Sequence, residues 1–140
     1  MIRAARSLTR GEAAGEALVL SAPLSFWGGV DAESGRICDP NHPEFGVSVV
    51  SRVLVMPLAR GSSSSSSVLA EAIRLATAPS AIVLGAADPI LTVGAIVAAS
   101  LYGRFCPIVV CPIDGVATGD RVRVRAGAGG DAEIEVAATR

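Results

Sequence analysis

Six consecutive serines, Ser62 to Ser67, follow Arg60-Gly61 and are the strongest chemical signal in the sequence. Composition alone would make them a flexible linker. Their position argues otherwise. An apolar run ending at Met56-Pro57 precedes them, and Val68, Leu69, Ala72, Ile73 and Ala76 follow at helical spacing. The order strand, serine loop, helix sets hydroxyls and backbone N–H groups at a helix N-terminus, where unpaired amides and the positive dipole end stabilise anions. Gly61 would let a carboxylate or phosphate approach the backbone closely. The chemistry this pattern supports is the binding of a small anionic molecule.

Other constellations carry less. A serine hydrolase needs a base, and the one histidine, His42, has Asp39 three residues before it, but the Gly-x-Ser-x-Gly elbow is absent. A histidine beside a proline reads as structural. Cys38, Cys106 and Cys111 form neither an even disulfide set nor a zinc spacing, so no metal site is expected from this chain alone. Cys106 and Cys111 lie five apart in a strand-like run, which puts them on opposite faces. Arg121, Arg123 and Arg125 share one strand face. They read as a solvated edge that discourages strand addition, with the holding of an acidic partner or substrate as the alternative. The roles of His42 and of these arginines stay open at this level. Lysine is absent, which excludes Schiff-base catalysis and the phosphate loop ending in Gly-Lys-Ser/Thr.

The elements that position the serines follow from periodicity. Glu16 to Leu20 is a short apolar run, and Ser25-Phe26-Trp27-Gly28-Gly29-Val30-Asp31 contains a backbone-dominated turn. Asp39-Pro40-Asn41-His42-Pro43 is barred from helix and serves as a connector. A strand is expected from about Val47 to Met56, a buried strand over Ala81 to Leu84, and another over Cys106 to Cys111. Pro89 to Tyr102 reads as a helix with its proline in the first turn. Continuous apolar strands alternating with helices imply a partly parallel sheet. Near the end, Arg121-Val122-Arg123-Val124-Arg125 and Glu133-Ile134-Glu135-Val136 alternate strictly around Gly127, Gly129 and Gly130, the pattern of a hairpin with one polar face. The fold class is α/β, closer to a β/β/α layered domain than to a doubly wound one.

The 140 residues fit one domain, 1–140, with an expected accessible surface of roughly 6,700 Å². Only 18% are charged while 51% are hydrophobic, mostly small aliphatics, so the surface must expose apolar area, which points to a partner. A net charge of −1 argues against nucleic acid. The segment Met1 to Arg10 alternates Arg with small residues and lacks the apolar core of a secretory signal, so the cytoplasm is expected. Asp88-Pro89 and Gly94 interrupt the longest apolar stretch, and no membrane span is expected.

Four segments together resemble a known family. Ser25-Phe26-Trp27-Gly28-Gly29-Val30-Asp31, His42-Pro43-Glu44-Phe45-Gly46, Arg60-Gly61-Ser62-Ser63 and Ala78-Pro79-Ser80-Ala81-Ile82 are similar, in order and spacing, to the small subunit of aconitase X enzymes. The resemblance covers roughly Gly11 to Val110 and is loose over the C-terminal hairpin. It implies a swivelling domain like the mobile domain of aconitases, closing over a large subunit that carries an iron-sulfur cluster, with no cofactor bound by this chain itself.

By the same resemblance Ser62 is the base that removes the proton next to a carboxylate, and Gly61 and Ser63 hold the substrate. True aconitases follow the serine pair with an Arg, whereas Ser64 stands here, a departure that argues against citrate-type recognition. Two substrates are associated with such enzymes, cis-3-hydroxy-L-proline, dehydrated to a pyrroline-2-carboxylate, and 5-phosphomevalonate, dehydrated to an anhydro compound. The Ala- and Arg-rich, Lys-free composition resembles that of a GC-rich bacterium and favours hydroxyproline. The expectation is a cytoplasmic hydro-lyase subunit, active as a heterodimer or higher assembly with its large partner. The contrasting reading is a non-catalytic domain that uses the same loop to hold an anion or partner.

Overall fold

The computed structural model describes residues 1–139. The N-terminal residues form strand β1 (Ile2–Thr9), whose first six residues alternate between exposed and half-buried, followed by β2 (Gly11–Val19). The short strands β3 (Val30–Asp31) and β4 (Arg36–Ile37) pair with each other. Then come β5 (Val53–Met56), α1 (Ser65–Leu75), β6 (Ala81–Leu84), α2 (Pro89–Tyr102), β7 (Ile108–Val110), β8 (Arg121–Ala126) and β9 (Asp131–Ala137).

Seven strands close into a barrel in the order β1, β7, β6, β5, β2, β8, β9, with β9 pairing back onto β1. The pairs β2–β5, β5–β6 and β6–β7 are parallel, and the rest are antiparallel. Burial explains which strands are continuously apolar. In β5, Val53 and Val55 face the barrel interior while Leu54 and Met56 face the helices, and β6 divides in the same way. Strands covered on both faces need apolar residues at every position. On the far side, β8 and β9 face water outward and alternate, with Val122, Val124, Ile134 and Val136 turned inward. The two sides of the barrel and the helices make the three layers of the β/β/α arrangement. The accessible surface, 6488 Å², is close to that expected for the mass.

Some expectations need correction. The strand expected from Val47 covers only Val53–Met56. Ser51 adopts a left-handed backbone with φ 57°, and its carbonyl lies so close to Gly15 that a Cβ there would approach to 2.7 Å, so the chain turns before it enters the barrel. The run from Cys106 shortens to Ile108–Val110, between Pro107 and Pro112. Strand β8 lies between β2 and β9, so its arginine face is not a sheet edge. Cys106 and Cys111 do face opposite ways, toward the helices and the barrel interior respectively. Among the described residues no helix is long and apolar enough to cross a membrane.

Candidate active site

Strands β2, β5 and β6 run parallel and end at the same edge of the barrel, in register at Val19, Val55 and Val83. The chain leaving β2 supplies residues 20–29, and that leaving β5 supplies the loop 60–64 before α1. Loops at the carboxyl ends of parallel strands are where α/β proteins place ligands, and the same geometry operates here. Between these two loops lies an open cleft of about 400 Å³. Arg60, Gly61 and Ser62 line one side, and Ser25, Trp27, Gly28 and Gly29 the other, with Asp39 at the rim.

The serine run divides in two. Ser65 is buried, and its hydroxyl oxygen accepts the N–H of Trp27 at 3.0 Å and lies 3.4 Å from the Ser25 hydroxyl. This ties the start of α1 to the Trp27-Gly28-Gly29 turn. Gly29 is required there, because a Cβ would fall 2.0 Å from the Ser25 carbonyl oxygen. Ser66 donates to the Ile90 carbonyl at 2.6 Å and fastens α1 to α2. The expected serine loop is therefore shorter than the run, because Ser65, Ser66 and Ser67 form the first helical turn.

Ser62, Ser63 and Ser64 remain. Neither their hydroxyls nor their N–H groups are engaged by any described residue, and Ser64 occupies the N-cap position without a side-chain cap bond. The first turn of α1 contains no acidic residue to offset the dipole. Apart from Gly61 and its two chain neighbours, nothing in the protein lies within 4 Å of where a Cβ on Gly61 would stand, so the space beside its backbone is open. The structure thus brings Gly61 and Ser62 into the cleft and sets Ser63 next to them in the same loop. Arg60 and Trp27, noted in the sequence only as parts of the family-like segments, and Asp39, noted only as a possible partner of His42, join the cleft. The Arg60 side chain makes no hydrogen bond or ion pair with a described residue.

His42 is accounted for structurally. Its Nε2 faces the Ala22 carbonyl at 3.1 Å and its Nδ1 accepts the N–H of Glu44 at 3.0 Å, which assigns a neutral ring protonated at Nε2. Asp39 instead accepts from the Asn41 N–H at 2.9 Å, so no Asp-His pair forms. Arg125 is engaged by Glu12, Glu133 and Glu135 on the outer barrel face, at 3.5, 3.3 and 3.9 Å.

The thiols fit poorly as cluster ligands. Burial pushes Cys106 up to about 12 and raises Cys111, while Cys38, beside the cleft, is raised by desolvation and by Asp31 and Asp39. Ligating thiolates require the opposite shift. The three sulfurs lie in different parts of the fold, and no metal-holding group of His, Cys, Asp or Glu assembles among the described residues.

With the fold and cleft in view, comparison with known proteins is specific. The aconitase X swivel domain model matches residues 2–135. The chain is 48% identical over 103 residues to a Pseudomonas aeruginosa protein named cis-3-hydroxy-L-proline dehydratase, covering 74% of this chain but 18% of that protein. It is 39% identical over 123 residues to the Pyrococcus abyssi phosphomevalonate dehydratase small subunit, covering 87% of this chain and 88% of that one. The crystal structure of the holo-form of Thermococcus kodakaraensis aconitase X matches with a TM-score of 0.84 at 34% identity, over 97% of this chain and 99% of that chain. With the family model matched over nearly its whole length and a solved relative of the same fold, this chain belongs to the aconitase X swivel-domain family.

Proposed function

We propose that the chain is the mobile half of a cytoplasmic hydro-lyase that, with a large subunit, dehydrates cis-3-hydroxy-L-proline to a pyrroline-2-carboxylate. Family membership implies an iron-sulfur cluster in that large subunit. This chain offers no thiolate set for it, and assistance to the departing hydroxyl is assigned to the partner. Such a partner also suits the exposed apolar side of α2, where Val93, Ile96, Val97 and Leu101 face solvent.

The observation that carries the reading is Ser62, its hydroxyl and amide unengaged, lining a cleft just before a helix N-terminus, with the equally unengaged Ser63 and Ser64 next to it in the same loop. Ser62 is the proton acceptor. The C–H bond next to the carboxylate breaks, its proton passes to the Ser62 alkoxide, and its electron pair becomes the new double bond as the C–O bond breaks; the departing hydroxide then takes that proton from Ser62 Oγ, which releases water and regenerates the alkoxide. A serine accepts that proton only as its alkoxide, and preorganised N–H donors with the positive helix end lower the cost of that charge. The same donors, with Gly61 and Ser63, hold the carboxylate on which negative charge accumulates.

Dehydration of 5-phosphomevalonate is the second reading. It is favoured by the length match to small subunits of that dehydratase, such as the one from Pyrococcus abyssi. Both are tested by reconstituting the complex with its large subunit and following loss of each substrate. The expected result is turnover of cis-3-hydroxy-L-proline, abolished by Ser62→Ala in a complex that still assembles. Retained turnover in Ser62→Ala overturns the base assignment. Exclusive turnover of phosphomevalonate transfers the function to the second reading, and unchanged partner turnover without this chain's loop reduces it to a binding domain.

A further inference from the structure

The cleft holds more than an anion site. Arg60, whose side chain bonds to no described residue, brings one positive charge to the cleft that Ser62 also lines. Across the cleft, Asp39 brings one negative charge, and Trp27 leaves 59% of its surface exposed. The opposed charges sum to zero. An oxygen of Asp39 already accepts from the Asn41 N–H at 2.9 Å, which orients the carboxylate within its own turn. Burial first, and then the charges of Asp31 and Asp39, raise the neighbouring Cys38 thiol.

We propose that Asp39 and Trp27 are specificity residues that read a positively charged ring nitrogen, while Arg60 and the loop amides read the carboxylate. The inference rests on the dehydratase reading and names what it leaves open, the class of molecule the cleft admits: a compact zwitterion. A carboxylate on Arg60 and the serine amides places the adjacent ring ammonium toward Asp39, with the indole face as a second attraction. A phosphorylated hydroxy acid carries about −2.5 to −3 at neutral pH, with its phosphate near −1.5 to −2. One arginine does not neutralise that charge, and Asp39 repels it.

The test uses the assembled two-subunit complex and two isosteric probes that cannot be dehydrated: L-proline, a zwitterion, and tetrahydrofuran-2-carboxylate, whose ring oxygen removes the positive charge. Binding is measured by calorimetry, independently of turnover. The wild-type complex should prefer L-proline by about tenfold, as one charge pair in a partly desolvated cleft supplies. Asp39→Asn retains the oxygen that accepts from Asn41 and should reduce the preference to about twofold or less, raising KM for the hydroxylated substrate with little change in kcat. Trp27→Leu should weaken L-proline by about threefold and leave the other probe unchanged. Arg60→Ala should weaken both probes equally.

Equal binding of the two probes by wild type overturns the inference, as does a preference that survives Asp39→Asn or failure of both probes to bind. A wild-type complex that prefers L-proline yet does not dehydrate cis-3-hydroxy-L-proline refutes the proposed function alone.

Discussion

At the start of α2, Asp88 accepts hydrogen bonds from the N–H groups of Ile90 and Leu91 at 2.8 and 3.1 Å, Pro89 removes a third donor, and Thr92 bonds back to the Asp88 carbonyl at 2.7 Å. At the start of α1, Ser64 stands at the cap with its side chain unengaged, and no acid lies in the first turn. The two helices leave neighbouring strands at the same barrel edge and pack together through Ser66 and Ile90. They therefore share fold, orientation and surroundings. One N-terminus is closed by its own side chains, while at the other the N–H groups of Ser65, Ser66 and Ser67 turn back onto the carbonyls of Ser62, Ser63 and Ser64, and the N–H groups and hydroxyls of those three serines meet no acceptor or donor among the described residues. The helix donors of α1 are thus satisfied by backbone carbonyls without any side-chain cap, which leaves the hydroxyls and amides of the preceding serine loop available to the anion proposed for the cleft.

The comparison is tested most severely by Ser62→Ala. Removing a general base should lower turnover of the assembled complex by about 10²–10⁴-fold. Because the Ser62 hydroxyl bonds to no described residue, the melting temperature of the isolated chain should not change. Ser65→Ala makes the opposite case within the same run. It leaves the Trp27 N–H without its acceptor, at a cost of about 1–3 kcal/mol. Thermal unfolding should register that loss directly. Turnover should fall less than in Ser62→Ala, and only through misplacement of the Gly28-Gly29 wall. A Ser65 variant that melts like wild type would dissolve the distinction between structural and available serines.

That distinction could not be read from the sequence, where six identical side chains stand in a row. Only the positions of Trp27 N–H and the Ile90 carbonyl, brought in from distant segments, decide which hydroxyls are used. The convergence of Arg60, Trp27 and Asp39 was hidden for the same reason, since it depends on the parallel pairing of β2 with β5. By contrast, α2 was legible to its last residue, because Asp88-Pro89 and Gly103 punctuate both ends. Strand β6 and the terminal hairpin were also legible, from unbroken apolar composition and strict alternation. Strand β1 was not legible, because the arginines of this segment, Arg3, Arg6 and Arg10, stand three and four apart and give no strand period. The barrel's closure, set by pairing of β1 with β7 and β9, has no local signature at all.

A smaller effect belongs to the closed terminus. Asp88→Ala releases two helix donors and should destabilise the chain by about 1 kcal/mol, a drop in melting temperature of about 3–5 °C. Affinity for L-proline in the complex should stay at the wild-type value, because Asp88 lies outside the cleft lining. Loss of ligand affinity in this variant would mean that both termini serve the site and that the contrast between them is only one of capping style.

The smallest expected change in stability comes from making the open terminus resemble the closed one. Ser64→Asp sets a fixed negative charge against the uncompensated end of α1, a stabilisation of about 0.3–1 kcal/mol and about 1–4 °C in melting temperature. The same carboxylate would stand where a substrate carboxylate is proposed to bind, so turnover and affinity for both ring carboxylates should fall together as stability rises. Opposite signs for stability and function in one substitution are the mark of a terminus held open against its own local preference. A variant that is more stable and equally active would place the ligand elsewhere, and the unengaged serines would then need an acceptor other than substrate.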